Sequence, residues 1–107
     1  KENLIPLELT AKQVSLVYSS EADVLNMALF GMTAKAWWEI NPSEKGNIRD
    51  HANAKQLICL VNLENLNALF IKESLEQSER LKKLNQIAID QLLLLTGDSS
   101  IKRLGYK

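Results

Sequence analysis

The sequence predicts an all-α fold: a single small domain of four to five helices that contains a long antiparallel helical hairpin. Apolar residues recur every three or four positions over about 54-75 and 79-96, which is the period of one helix face. Residue types that favour helix ends flank most of the predicted helices. The length of 107 residues, 46% of them apolar, suits one domain with one hydrophobic core.

Charge and cysteine content exclude several classes of protein. Thirteen basic and thirteen acidic residues give a net charge of zero, so no overall field attracts the chain to nucleic acid or to an anionic membrane. The single cysteine, Cys59, permits neither an internal disulfide nor a cysteine-rich zinc site. No apolar run approaches the roughly 20 residues of a membrane span, so we expect a cytoplasmic protein without membrane contact.

The first 18 residues carry mixed signals. Pro6 disfavours a regular helix and predicts an extended lead-in. Thr10 and Gln13 have the spacing of a capping box, which predicts a short helix over about 11-17. Apolar and polar residues also alternate over 14-18, which favours a strand, and both interpretations stay open.

Two helices with marked ends follow. Ser20 provides a hydroxyl cap before two carboxylates, and Gly31 is suited to the left-handed conformation that ends a helix, which predicts a helix between them. Thr33 caps the next predicted helix. Asn41-Pro42 stops it, because proline excludes the preceding residue from the helical region. A loop over 42-47 comes after it.

Two long helices dominate the second half of the chain. Asn53 caps the first, predicted over about 54-75, and Ser78 starts the second, predicted over about 79-96. The connection between them is short, so they should pack as an antiparallel hairpin. We expect the tail over 98-107 to fray.

Both long helices carry more apolar residues than a single core-facing stripe holds. The helix over 54-75 should therefore be either the central helix of the domain or a helix covered by a second chain. The surplus apolar residues are the candidate interface: Leu57, Val61, Leu66, Phe70, Ile87 and Leu94.

Side chains that could perform catalysis have simpler structural interpretations. His51 lies at a predicted turn beside Asp50, and Cys59 lies in an apolar segment, where a thiol is buried and unreactive. Glu21 and Asp23 are explained by their favourable position in the first turn of a helix. No phosphate-binding loop or nucleophile-elbow motif is present. We expect no enzyme activity, no metal, no cofactor and no small-molecule substrate.

Two groups of residues could contact nucleic acid. An exposed Trp37 or Trp38 could stack on a base, and Arg80, Lys82 and Lys83 form a local basic cluster. The competing interpretations are core packing for at least one tryptophan and a solvated helix face for the basic residues. The even balance of charge over the chain favours these competing interpretations.

Three asparagines crowd the helix over 54-75, although asparagine is a poor helix former. These residues are Asn62, Asn65 and Asn67. Because the helix is apolar nearly all round, some of these amides must lie in or beside an apolar surface and need hydrogen-bond partners. The partner groups belong either to a neighbouring loop or to another subunit, as with a buried asparagine that fixes the register of an oligomer.

Several motifs occur in a fixed order along the chain. They are residues 20-31, Thr33-Ala34 with Trp38 and Asn41-Pro42, residues 46-50, residues 77-81 and residues 84-89. Over about residues 1-96 they resemble the C-terminal segment of bacterial and phage-type proteins that carry an N-terminal KilA-N domain. The resemblance implies DNA binding by that absent domain and brings no catalytic residues. The start at Lys1 rather than methionine fits a C-terminal fragment of such a DNA-binding protein.

These observations lead to a ranked set of functions. First is a non-catalytic interaction or oligomerisation module, with a second copy or another protein as partner, which arranges attached DNA-binding domains. The alternative is direct nucleic-acid binding through Trp37 or Trp38 and the cluster of basic residues over 80-83. An enzymatic function with a divalent metal ranks last.

Overall fold

The computed structural model describes residues 5-96 as five α-helices and one 3₁₀ helix. The helices are α1 (Ala11–Ser15), α2 (Glu21–Phe30), α3 (Ala34–Ile40), the 3₁₀ helix (Ile48–His51), α4 (Ala54–Lys72) and α5 (Gln77–Leu95). This part of the chain contains no strand, so the all-α prediction is confirmed and the competing strand over 14-18 is wrong. None of the described helices has both the length and the apolar composition to cross a membrane. The predicted frayed tail over 98-107 lies outside the described residues.

Side-chain caps fix the starts of the first four α-helices, as their sequences predict. The capping oxygens belong to Thr10, Ser20, Thr33 and Asn53, each of which accepts a hydrogen bond from a backbone N–H three residues later. Gly31 ends α2 with φ of 78°, a conformation that costs a residue with a Cβ atom more than it costs glycine. The predicted boundary of α1 is two residues too long, since the helix ends at Ser15.

The most deeply buried helix of the domain is α2. Six consecutive residues of this helix, from Val24 to Leu29, are buried, because α2 packs against both α4 and α5. The sequence pattern offered the central position to α4, but α4 is exposed along one side, whereas α5 contacts α1, α2 and α4. The core around α2 is completed by Cys59, Leu60, Leu63, Leu81, Leu84, Ala88 and Leu92.

A four-residue connection, 73-76, joins α4 to α5 and produces the predicted hairpin. The helix α4 stops at Lys72 rather than at residue 75 because Ser74 adopts a left-handed conformation with φ of 66°. Arg80 donates from Nη1 to the Leu75 carbonyl oxygen at 2.9 Å and so holds the connection. The second helix of the hairpin begins at Gln77, two residues before the predicted start.

The N-terminal lead-in is held against α5 by amide side chains. Asn85 is buried; its Oδ1 accepts from the Leu9 N–H at 3.0 Å, and its Nδ2 donates to the carbonyls of Leu7 and Ala28. Gln77 exchanges two hydrogen bonds with the backbone of Tyr18, at 2.8 and 3.0 Å. These bonds satisfy backbone groups of a segment that has no regular structure of its own.

Candidate interaction surface

One side of α4 is apolar and faces away from the core. We call it the outer face of α4 and define it by Ala54, Leu57, Ile58, Val61, Asn65, Ala68 and Leu69, all of which are exposed. Its four large aliphatic residues, Leu57, Ile58, Val61 and Leu69, expose between 41% and 54% of their surface. The opposite side of the same helix is buried against α2 and α5. The domain therefore leaves one face of its hairpin uncovered within residues 5-96.

The six predicted interface residues divide into two groups. Leu57, Val61 and Leu94 are exposed, whereas Leu66, Phe70 and Ile87 are partly buried and pack against the core. The expectation of a free surface is wrong for the second group, because the packing of α2 on the hairpin covers most of the surface of these three side chains. The prediction also missed Ile58, Leu69 and Ile71, which are 51%, 47% and 45% exposed. On a helical wheel Ile58 and Leu69 lie about 60° and 80° to one side of Val61, and Ile71 lies about 80° to the other side, beyond Glu64.

The asparagines of α4 have different surroundings. Asn67 is buried: its Nδ2 donates to Oε1 of Glu21 at 2.8 Å, and its Oδ1 accepts from Nε of Arg80 at 3.0 Å. The intramolecular interpretation is thus correct for this residue. Asn65 is exposed in the middle of the outer face, and its side chain makes no hydrogen bond with any other described residue. An amide at this place is free to pair with a group from another molecule.

Arg80 does not belong to an accessible basic cluster, and that expectation is wrong. It is only 7% exposed, and its Nη2 lies 2.7 Å from Oε2 of Glu21. Its other nitrogens bond to Asn67 and to the backbone of Leu75. A guanidinium with these internal partners is not available to a phosphate. The Arg80 side chain instead links α5 to α2 and α4 through these bonds.

The other two residues of the predicted basic cluster, Lys82 and Lys83, are exposed on α5. They line a groove of about 820 Å³ between α1 and α5, together with the carboxylates of Glu8 and Glu79. Opposite charges in one groove reduce the positive potential that a phosphate backbone requires. This groove therefore gives little support to nucleic-acid binding.

Both tryptophans lie on α3, and Trp37 packs against His51 of the 3₁₀ helix. The Trp37 ring is half-buried and lies 4.9 Å from the ring of His51 and 5.8 Å from that of Trp38, in an edge-on arrangement with the latter. Trp38 remains 41% exposed. Nε2 of His51 lies 2.8 Å from the Lys45 carbonyl oxygen, so this ring supports the 42-47 loop. These contacts favour the structural interpretation of His51 and leave Trp38 as the accessible aromatic residue of α3.

The thiol of Cys59 lies fully buried on the inner side of α4. Burial raises its pKa from 9.0 to about 11, because the charged thiolate is poorly solvated inside the core. The thiol therefore stays protonated at neutral pH and lacks the character of a nucleophile. This agrees with its interpretation as a small apolar core residue.

Comparison of the chain with models of known protein families, with curated proteins and with solved structures finds no match. The resemblance to KilA-N-containing proteins therefore stays a prediction that depends on its ordered motifs.

Proposed function

We propose that this domain is a non-catalytic protein-interaction module that associates through the outer face of α4. The observation that carries the proposal is the half-exposed state of Leu57, Ile58, Val61 and Leu69 on a helix whose other side is in the core. The largest contiguous apolar patch on a small domain, commonly about 300–600 Å², is often functional, and larger patches mark interaction sites. A second molecule that covers this face would remove its apolar surface from water.

The energy available from covering the outer face is substantial. Complete burial of one aliphatic side chain contributes about 1.5-3 kcal/mol, so covering the exposed half of each of four contributes roughly 3-6 kcal/mol. The exposed pair Leu16 and Val17 after the end of α1 offers a smaller gain, because it comprises two residues rather than four. The contiguity of the four aliphatic residues on α4 therefore favours an interface over incidental exposure.

The biological setting of the proposal comes from the resemblance. In a phage-type protein with an N-terminal KilA-N domain, association of this module would hold two or more DNA-binding domains at a fixed spacing. Contact with DNA would then belong to the KilA-N domain, and the protein would act in the cytoplasm. The buried Cys59 and the structural contacts of His51 support a role without catalysis.

Direct nucleic-acid binding remains the second candidate, because Trp38, Lys82 and Lys83 are accessible. Its support is smaller: Arg80 is paired with Glu21, and the lysines share their groove with carboxylates. A gel-shift titration at low salt tests it. Binding that weakens steeply as salt is added would favour this candidate, and an unshifted probe would dismiss it.

The proposed function is tested by sedimentation velocity over a wide range of protein concentration. We expect species heavier than the 12.1 kDa of one chain, and their fraction should rise with concentration. A chain that stays at its monomer mass at every concentration would contradict the proposal. The same runs in high salt serve as a control, since apolar association persists where ionic association weakens.

A further inference from the structure

The outer face of α4 contains a heptad pattern along its centre. Counting Lys72 at its end, six residues follow one another at intervals of four, three, four, three and four positions: Ala54, Ile58, Val61, Asn65, Ala68 and Lys72. We call this row the α4 seam. Alternating intervals of three and four keep residues in line along one side of a helix and are the pattern by which two helices pair. All six residues are exposed in the single chain.

We propose that the α4 seam pairs with the α4 seam of a second copy of this chain, the two helices running antiparallel. This inference rests on the proposed function, since it names the partner and the register of the same surface. Homodimers commonly have a two-fold axis, which requires a surface that is complementary to itself.

The antiparallel arrangement makes the α4 seam self-complementary when the two-fold axis crosses the helix pair at the level of residue 63. Residues equally far on either side of position 63 then face each other, so Ile58 of one copy meets the small Ala68 of the other. Val61 faces Asn65, near the centre of the pair. Large residues opposite small ones fill the space between two helices without voids.

A parallel arrangement is less suitable for the same residues. It would place Ala68 opposite Ala68, which leaves a gap, and Lys72 opposite Lys72, which repel each other. In the antiparallel pair Lys72 instead faces Ala54, and its ammonium group can reach water at the end of the interface.

The size of the outer face suits a dimer of modest affinity. The four large aliphatic residues of the outer face expose 41% to 54% of their surfaces. Together they present roughly 350 Å² of apolar surface, which is within the ~300–600 Å² of the largest patch on a typical monomer, a patch that is often functional. Two such faces, together with the exposed Ala54, Asn65, Ala68 and Lys72 stem of the α4 seam, approach the roughly 1,000 Å² that a specific interface needs. We expect dissociation constants in the micromolar range.

The chemistry of the α4 seam also restricts the partner. The seam itself holds no acidic residue, and its single charged residue, Lys72, lies at one end. The carboxylate of Glu64 lies beside the seam, where Oε2 is 3.4 Å from Nη1 of Arg49 and so has a partner within the chain. A nucleic acid or a strongly charged peptide would gain few ion pairs there. An apolar helix with one amide near its middle complements the surface, and α4 itself is such a helix.

The proposed dimer is tested first by charge substitution. Val61→Glu places a carboxylate near the two-fold axis and should weaken the dimer at least about tenfold, because the charge loses its solvation. Val17→Glu is the matched control, since Val17 is an exposed valine that follows α1 and lies outside the seam. Sedimentation velocity should show a dimer for the wild type and for Val17→Glu and a monomer for Val61→Glu. A dimer that tolerates Val61→Glu would overturn the inference. Circular dichroism checks that both variants fold.

The register is tested by chemical cross-linking in a Cys59→Ala background. A short bis-maleimide should join Ile58→Cys to Ala68→Cys when the two variants are mixed. It should not join two copies of Ile58→Cys, because in the antiparallel pair these sites lie about 15 Å apart along the helix axis. Cross-links between copies of Ile58→Cys would overturn the antiparallel register and leave the proposed function in place. A protein without associated species at any concentration would overturn both.

Discussion

The two faces of α4 are both apolar, yet they have different roles. The inner face contributes Cys59, Leu60 and Leu63, which are at most 5% exposed, while Ile58 and Val61 on the outer face remain about half exposed. Of the three asparagines of α4, Asn67 lies on the inner face, Asn65 on the outer face and the partly buried Asn62 at the side between them. Only Asn67 has side-chain partners within the described chain. Apolar composition alone thus does not separate a core surface from an interface. The position of α2 against one side makes the distinction.

The largest effect should come from matched leucine truncations on the two faces. Leu63→Ala should lower the free energy of unfolding by about 3 kcal/mol, because Leu63 is fully buried and its loss leaves a cavity. Leu69→Ala should change it by less than about 1 kcal/mol, since Leu69 is 47% exposed. Urea denaturation at low protein concentration, where association is weak, measures both values. Equal losses would show that the two faces are covered alike.

Replacing Asn67 or Asn65 by alanine should change the unfolding free energy by smaller amounts, and the two changes should have opposite signs. Asn67→Ala should cost about 1-2 kcal/mol, since Glu21 and Arg80 lose hydrogen-bond partners in a poorly solvated place. Asn65→Ala should stabilise the monomer by about 0.5 kcal/mol, because alanine is the better helix former and no internal bond is lost. Thermal unfolding of the two variants under identical conditions measures the difference. A destabilising Asn65→Ala would indicate a partner for Asn65 within the chain.

The smallest expected effect is a dependence of folding stability on pH, which comes from Cys59 on the inner face. The pKa of Cys59 is about 11 in the folded chain, above its value of 9.0 in the unfolded chain. Folding therefore favours the neutral thiol, and this contribution to stability is present below pH 9 and is lost as the pH rises towards 11.

Comparison with Cys59→Ala isolates the contribution of the thiol. Burial also raises the pKa of Tyr18, which is common to both proteins and so cancels in the difference. Between pH 8 and pH 10.5 the wild type should lose more unfolding free energy than the variant, as measured by urea denaturation. The same slope in both proteins would contradict the burial of this thiol.

Local features of the fold were accessible from the sequence. Thr10, Ser20, Thr33 and Asn53 cap helices as predicted, and the left-handed Gly31 was expected, because each of these effects depends on one or two neighbouring residues. The end of α4 failed because it is set within the turn that joins the two long helices, where helix periodicity gives no signal. The early end of α4 involves Ser74 and the bond from Arg80 to Leu75, which no local pattern shows.

The candidate site was only partly predictable. Periodicity identified an excess of apolar residues on α4, including Leu57 and Val61, but it did not show which side α2 would cover. Leu66 and Phe70 were consequently assigned to the interface although they pack on the core. Arg80 has the local surroundings of a surface residue, and its ion pair with Glu21 spans 59 positions.

The side-chain hydrogen bonds of Asn85 and Gln77 connect the beginning of the described chain with its last helix. They join groups that are 59 to 78 positions apart in the sequence. A pulling force applied at Ile5 would therefore act on α5 through these hydrogen bonds. The lead-in could extend only after they break. Ile5 itself is therefore anchored to the bundle through the same hydrogen bonds and should move with α5.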